Sequence, residues 1–223
     1  VQPFPGRGIF FLVRHGETEW NRDRRVMGRL GVSLGNRGRA QVAALAPLLT
    51  GLGAEVVWTS PLERARETAE GIATALGGIA VHVDEGLTEV DYGSWEGRTF
   101  DELMSDAAYH AYHRDPESAQ APGGRERLVE VRDRTLAALA RIAEARPGGR
   151  AIVVSHGDPI RLVLAACLGM PIKQMRRLRV DNGAVSGIEA TGDWVEVKFL
   201  NVRADLAGIV VPPELRSRRG PVR

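Results

Sequence analysis

Hydrophobic residues in this chain fall in short unbroken runs, separated by stretches where they recur every three or four positions. The runs at residues 9–13, 56–59, 79–83 and 151–154 are each bounded by glycine or turn residues. That pattern marks strands buried on both faces. Between them the spacing turns helical. Residues 36–49 read as a helix that Pro47 should end or kink. Residues 60–76 read as a helix capped by Ser60, with Pro61 at its first position and Glu63 completing a Ser-x-x-Glu box. Gly77-Gly78 closes it. Residues 126–146 form an amphipathic helix that turns Leu128, Val131, Leu136, Leu139 and Ile142 inward. A helix over 158–168 carries Pro159 at its first position. Strands at 184–188 and 194–200 make a hairpin across Thr191-Gly192-Asp193.

Strands alternating with helices define an α/β fold: a three-layer α/β/α sandwich with a mostly parallel central sheet. The whole chain, 1–223, reads as one domain without internal repeats. From 84 to 122 the regularity fades, with short helices at 100–104 and 107–113, until Pro122-Gly123-Gly124 breaks the chain. This stretch reads as a small helical insertion over the active-site edge, a substrate rim. In open sheets of this kind ligands bind beyond the carboxyl ends of the strands.

Two strands end there in the same way. The first runs into Val13-Arg14-His15-Gly16 and the fourth into Val154-Ser155-His156-Gly157. One such histidine is bland, but two in matched contexts on the ligand-binding edge point to function. Arg14 adjoins His15, and Arg64 lies in the first turn of the helix after the second strand. Asn21 follows the first strand with an amide to donate. The helix after His156 directs its N-terminus, with Gly157, at the same place. Two imidazoles, two guanidiniums, an amide and a helix N-terminus suit a tetrahedral oxyanion, most simply a phosphoryl group. A neutral imidazole is a competent nucleophile for phosphorus, and a second can steady the transferring oxygens. The leaving oxygen then needs a proton donor. Glu89, in the loop after the third strand, is the candidate, with Glu85, Asp91 and Glu96 as rivals.

Composition narrows the class without changing it. Of 223 residues, 43% are hydrophobic and 26% charged, which excludes a disordered chain. Only Lys173 and Lys198 among the 30 basic residues are lysines, so an arginine is not informative by type alone. No apolar run approaches a membrane span, and residues 1–8 do not read as a secretory leader. The single cysteine, Cys167, excludes a disulfide within the chain and fits a reducing, cytoplasmic setting as core filling. The basic tail, about 208–223, with Arg216-Ser217-Arg218-Arg219, reads as a solvated terminus, so no nucleic-acid or membrane partner is expected. No His-x-x-x-His or clustered carboxylate spacing supports a metal. His82 reads as a structural residue of an apolar strand. His110 and His113, with Tyr109 and Tyr112, read as a solvated helix face. Trp95 reads equally as pocket rim and as loop anchor.

The run Arg14-His15-Gly16-Glu17-Thr18-x-Trp20-Asn21 resembles the signature of the histidine phosphatase superfamily, the phosphoglycerate mutase-like fold. Thr59-Ser60-Pro61-Leu62-x-Arg64-Ala65, Leu87-Thr88-Glu89-x-x-x-Gly93-x-Trp95-Glu96-Gly97, Pro122-Gly123-Gly124 and Val154-Ser155-His156-Gly157 resemble its further motifs, in order. The resemblance implies His15 as nucleophile and His156 as transition-state stabiliser. It implies Arg14, Arg64 and Asn21 as phosphate ligands and Glu89 as proton donor and acceptor, with neither metal nor cofactor. The short stretch between the acid loop and the last helix–strand unit resembles the phosphatase branch rather than the mutases. The expected activity is hydrolysis of a small-molecule phosphate ester. A phosphomutase, a phospho-ligand binding protein without turnover, and a metal-dependent hydrolase are the alternatives. Met27 before Gly28, Gly35-Asn36, Arg125-Glu126 and Asp158-Pro159 depart from the usual pattern and bear on substrate preference. The exposed last strands allow an edge-to-edge homodimer.

Overall fold

A computed structural model describes residues 6–192 and 194–204. The basic tail and Asp193 of the hairpin turn lie outside the described residues. Six strands form one sheet: β1 (Arg7–Arg14), β2 (Val56–Thr59), β3 (Val81–Val83), β4 (Arg150–Ser155), β5 (Ala184–Thr191) and β6 (Val195–Arg203), in the order β3-β2-β4-β1-β5-β6. The first four positions in that order are parallel, and β5 and β6 add antiparallel partners beyond β1. Alternation along β1 fixes the layers. Phe10 and Leu12 face one way with Val153, into a core built with α6 (Leu128–Ala145) and α7 (Gly157–Cys167). Phe11 and Val13 face the other way with Ile152 and Val154, toward α2 (Asn36–Thr50) and α3 (Glu63–Ala75); a single short turn, α1 (Glu19–Arg22), lies between β1 and α2. The result is the expected three-layer sandwich with a mixed, mostly parallel sheet.

A third core gathers the segment between β3 and α6. It holds the short helices α4 (Phe100–Leu103) and α5 (Ala107–Arg114), and packs Trp95, Leu103 and Tyr112 against Leu128, Leu162 and Met175. Trp95 is a buried anchor whose indole N–H donates to Asp106 at 3.2 Å. Tyr112 is also buried, edge-on to Trp95, so this face of α5 is packed rather than solvated. Gly93 adopts a left-handed φ of +54°, and a Cβ there would overlap the backbone of Gly123–Gly124. Glycine is thus required where the acid loop crosses the Pro-Gly-Gly break.

Four local readings need correction. Helix α2 runs past Pro47 to Thr50, because Leu45 and Leu49, both 0% exposed, hold its last turn on the sheet. A proline this close to the end removes only one helical hydrogen bond. Helix α3 begins at Glu63 after an extended Leu62, so Ser60 and Pro61 precede it and no capping box forms. Pro159 is the third residue of α7, not the first, since Gly157 opens the helix. His82 lies on the exposed edge strand β3, with its ring 4.9 Å from that of Trp58. Cys167 packs against the first core as expected, and burial pushes its thiol up to about 12.

Candidate active site

The sheet register explains why the two histidines meet. Strands β1 and β4 are adjacent and parallel, with Arg14 opposite Ser155. The next residues, His15 and His156, therefore leave neighbouring strands at one level. Their ring centroids are 5.2 Å apart. Strand β2 pairs with the other side of β4, Thr59 opposite Val154, which brings Ser60 beside His156. His15 is 1% and His156 0% exposed.

Each imidazole has one nitrogen committed and one available. His15 Nδ1 lies 2.8 Å from the Gly16 carbonyl, a partner that can only accept, so Nδ1 carries the proton and Nε2 keeps its lone pair. His156 Nε2 lies 2.8 Å from the Ser60 hydroxyl, while its Nδ1 is buried without a partner. Burial, then the charges of Arg64 and Arg14, hold the His15 pKa well below the usual histidine value. Burial, Arg64, His15 and Arg14 do the same for His156. Both rings are neutral at pH 7.

The arginines are held from behind. Arg14 Nη1 donates to the Val180 carbonyl at 2.7 Å. Arg64 donates through Nη1 to Leu30 O at 3.0 Å and through Nη2 to Gly28 O at 2.7 Å. Both Nε atoms are buried without a partner. Three unpartnered buried nitrogens around two neutral imidazoles are costly unless something occupies the space between them. An anion with several oxygens satisfies all of them.

Close backbone approach completes this pocket. A Cβ on Gly16 would lie 2.7 Å from Gly38 O, so α2 starts directly on the end of β1. Gly157 sits over Arg14, where a Cβ would lie 3.5 Å from Cζ. It opens α7, so its own N–H and that of Asp158 have no helical acceptor. Asn21 lies at the pocket edge, and its Oδ1 is committed to the Thr18 N–H at 3.0 Å and Asn182 Nδ2 at 3.2 Å. That leaves its own amide nitrogen to donate. Met27 occupies no ligand position; the Thr18 hydroxyl donates to its sulfur at 3.2 Å.

Glu89 belongs to the same constellation. Its Oε1 accepts from the Val90 N–H at 2.9 Å. Burial, then the nearby Asp158 carboxylate, raises its pKa to about 7, against the opposing pull of Arg64 and Arg14. Of the rivals, Glu85 is exposed and the other two are employed elsewhere. Asp91 pairs with Arg125 at 3.4 Å, and Glu96 accepts from the N–H groups of Arg29 and Tyr92. All seven residues expected at the site, Arg14, His15, Asn21, Arg64, Glu89, His156 and Gly157, thus lie at one end of the sheet.

Two groups have roles that the sequence reading did not assign to them. Ser60 was assigned to a cap, yet it orients His156. Asp158 is buried and receives Arg161 Nη1 at 2.8 Å, the Tyr92 hydroxyl at 2.5 Å and Arg176 Nη2 at 3.4 Å. Burial opposes its charge, and the two arginines with Tyr92 more than offset that, so its pKa is lowered. Among the described residues no three His, Cys, Asp or Glu side chains are placed to hold a metal ion. No helix among them is long and apolar enough to cross a membrane.

Fold and site together define an α/β protein with two adjacent neutral histidines and two arginines with buried Nε atoms gathered at the carboxyl ends of its parallel strands. The comparisons place it further: the model of the histidine phosphatase superfamily (branch 1) matches residues 10–203, and the chain belongs to that family. A curated relative, "Probable phosphoglycerate mutase GpmB" of Salmonella paratyphi C, is 36% identical over 183 residues, covering 80% of this chain and 83% of its own. The alpha-ribazole phosphatase of Shigella flexneri superposes with a TM-score of 0.78 at 32% identity, covering 88% of this chain and 97% of that one. A mycobacterial glucosyl-3-phosphoglycerate phosphatase gives 0.79 at 28% identity, covering 87% and 99%.

The Ser60 contact carries a prediction. Ser60→Ala removes the one hydrogen bond that fixes the His156 ring, worth roughly 1 kcal/mol. Turnover of a phosphate ester should fall about fivefold, with His156 resonances broadened in NMR spectra. Unchanged turnover would show that packing alone holds the ring.

Proposed function

We propose that this protein is a metal-independent phosphomonoesterase that hydrolyses a small phosphorylated metabolite through a phosphohistidine on His15. One observation carries the reading: a neutral His15 whose Nε2 is free lies beside His156, ring centroids 5.2 Å apart, with His156 Nδ1 and the Nε atoms of Arg14 and Arg64 buried and unpartnered. In this reading the arginines, Asn21 and the Gly157 N–H bind the phosphoryl oxygens. His15 Nε2 attacks phosphorus. Ser60 donates its hydroxyl proton to His156 Nε2, so that His156 Nδ1–H faces the transferring oxygens. Glu89 protonates the leaving oxygen and later takes a proton from the water that attacks the phosphohistidine. The segment at 84–122 forms the rim that meets the leaving group. The whole chain acts as one domain.

The test is phosphate release from p-nitrophenyl phosphate in excess chelator, with acid and alkali quenches of the enzyme during turnover. Full activity and an acid-labile, alkali-stable phosphoenzyme are expected. An adduct on serine or aspartate, or loss of activity in chelator, would overturn the reading. The 36% identity to the GpmB protein favours a second reading, a phosphomutase. It would return isomerised ester with little free phosphate.

A further inference from the structure

One guanidinium behind the site is fully used. Arg134, on α6, donates through Nη1 to Gly86 O at 2.8 Å and Thr88 O at 2.7 Å, and through Nη2 to Glu89 O at 3.2 Å. Its remaining N–H groups go to Glu126: Nε to Oε2 at 2.9 Å and Nη2 to Oε1 at 2.9 Å. All five donors of the arginine are therefore satisfied. Three carbonyls of the loop that carries Glu89 converge on one cation, a geometry that repels itself without that charge.

Glu126 extends the connection. Its Oε1 also accepts from the Asp91 N–H at 3.1 Å and from Arg29 Nη2 at 3.0 Å. Arg29 lies between Gly28 and Leu30, whose carbonyls hold Arg64. The Arg29 N–H in turn donates to Glu96 Oε1 at 3.0 Å, an oxygen shared with the Tyr92 N–H at 3.2 Å. The loop that orients a phosphate-binding arginine and the loop that carries the acid are thus fastened to the same two carboxylates. Burial opposes the charge on Glu126, and Arg134 with the Asp91 N–H and Arg29 overcomes it, so this carboxylate stays ionised at neutral pH.

We infer that Arg134 and Glu126 are positioning residues that hold Glu89 in register with the phosphate-binding Arg64 for proton transfer to the leaving group. The inference rests on the reading of Glu89 as the proton donor. Neither residue touches the anion pocket, so their loss should spare phosphate binding and damage only steps that need a placed carboxyl.

The experiment compares wild type, Glu126→Gln, Arg134→Lys and Glu89→Gln on two esters. Glycerol 2-phosphate leaves as an alkoxide that needs a proton; 2,4-dinitrophenyl phosphate leaves unaided. Glu126→Gln turns an amide N–H₂ toward a guanidinium, and Arg134→Lys keeps the charge but cannot reach three carbonyls and a carboxylate. Both variants should lose about 10- to 100-fold in kcat on glycerol 2-phosphate, with KM and inhibition by inorganic phosphate within about twofold of wild type. The first-turnover burst of dinitrophenolate should stay within about threefold. Equal losses in the first turnover of both esters, or weakened phosphate inhibition, would show general damage to the site and overturn the inference. Selectivity in Glu89→Gln but in neither other variant would overturn it alone. Absence of selectivity in Glu89→Gln would overturn the acid role and the inference together.

Discussion

Replacing His15 by alanine is expected to lower turnover by about four orders of magnitude or more. The size follows from what the variant keeps. In the proposed mechanism Arg14, Arg64 and His156, which keep their unpartnered nitrogens, still bind the anion, and what disappears is the bond-forming atom. Direct attack by water would have to replace it from an unprepared position. The wild-type ring needs no deprotonation, because burial and the two arginines keep it neutral, and the Gly16 carbonyl fixes the tautomer that exposes Nε2. The loss should therefore fall on kcat, while the affinity for inorganic phosphate changes less than about tenfold. Rapid quench with ³²P-labelled ester checks both halves: no labelled protein in the variant, and an acid-labile phosphoenzyme in wild type. Turnover within tenfold of wild type would remove His15 from the nucleophile's role.

Much of this site was legible because its residues stand at strand ends. A buried run followed by His-Gly locates a side chain at a known edge of a parallel sheet, so Arg14, His15, His156 and Gly157 could be placed without a structure. The β1–β4 register then turns sequence likeness into proximity. Arg64 was found because one helical turn after β2 reaches the same edge. Local signals failed where a tertiary partner outcompeted a local one. Ser60 has the chemistry of a cap, but the His156 ring is the stronger partner, and the chain stays extended through Leu62. Pro47 fails to end α2 because buried leucines on either side of it are held by the sheet. The bracing of the acid loop was invisible for a different reason. Arg134 and Glu126 are eight residues apart; Arg134 donates to carbonyls about forty-five residues upstream and Glu126 accepts from the Asp91 N–H, 35 residues upstream, relations with no period in sequence. In a chain with 28 acidic and 30 basic residues, charge alone does not single them out.

Glu89→Gln is the second large effect expected, about 10²- to 10⁴-fold on an alkyl phosphate. The carboxyl's raised pKa, about 7, sets the form of the result. A group raised this far is largely protonated below neutrality, which suits donation to the leaving oxygen. As pH rises through 7 the acid is lost, so the phosphorylation step should fall about tenfold per unit above that point. The ester's own second ionisation, near pH 6, affects wild type and variant alike. The difference between their profiles therefore isolates Glu89. Once the proton has been given away, Glu89 is already the carboxylate needed to activate water against the phosphohistidine, so one residue serves both steps without an external proton exchange between them. In Glu89→Gln the alkaline limb should vanish along with turnover of glycerol 2-phosphate. With 2,4-dinitrophenyl phosphate the first step should survive and the second should stall, giving a burst of about one phenolate per site and a stable phosphoenzyme. A limb unchanged in the variant, or equal losses in the first turnover of both esters, would assign the proton to another group. Asp158 would then be the wrong choice despite its place beside Glu89, because Arg161, Arg176 and Tyr92 hold it ionised with no proton to give.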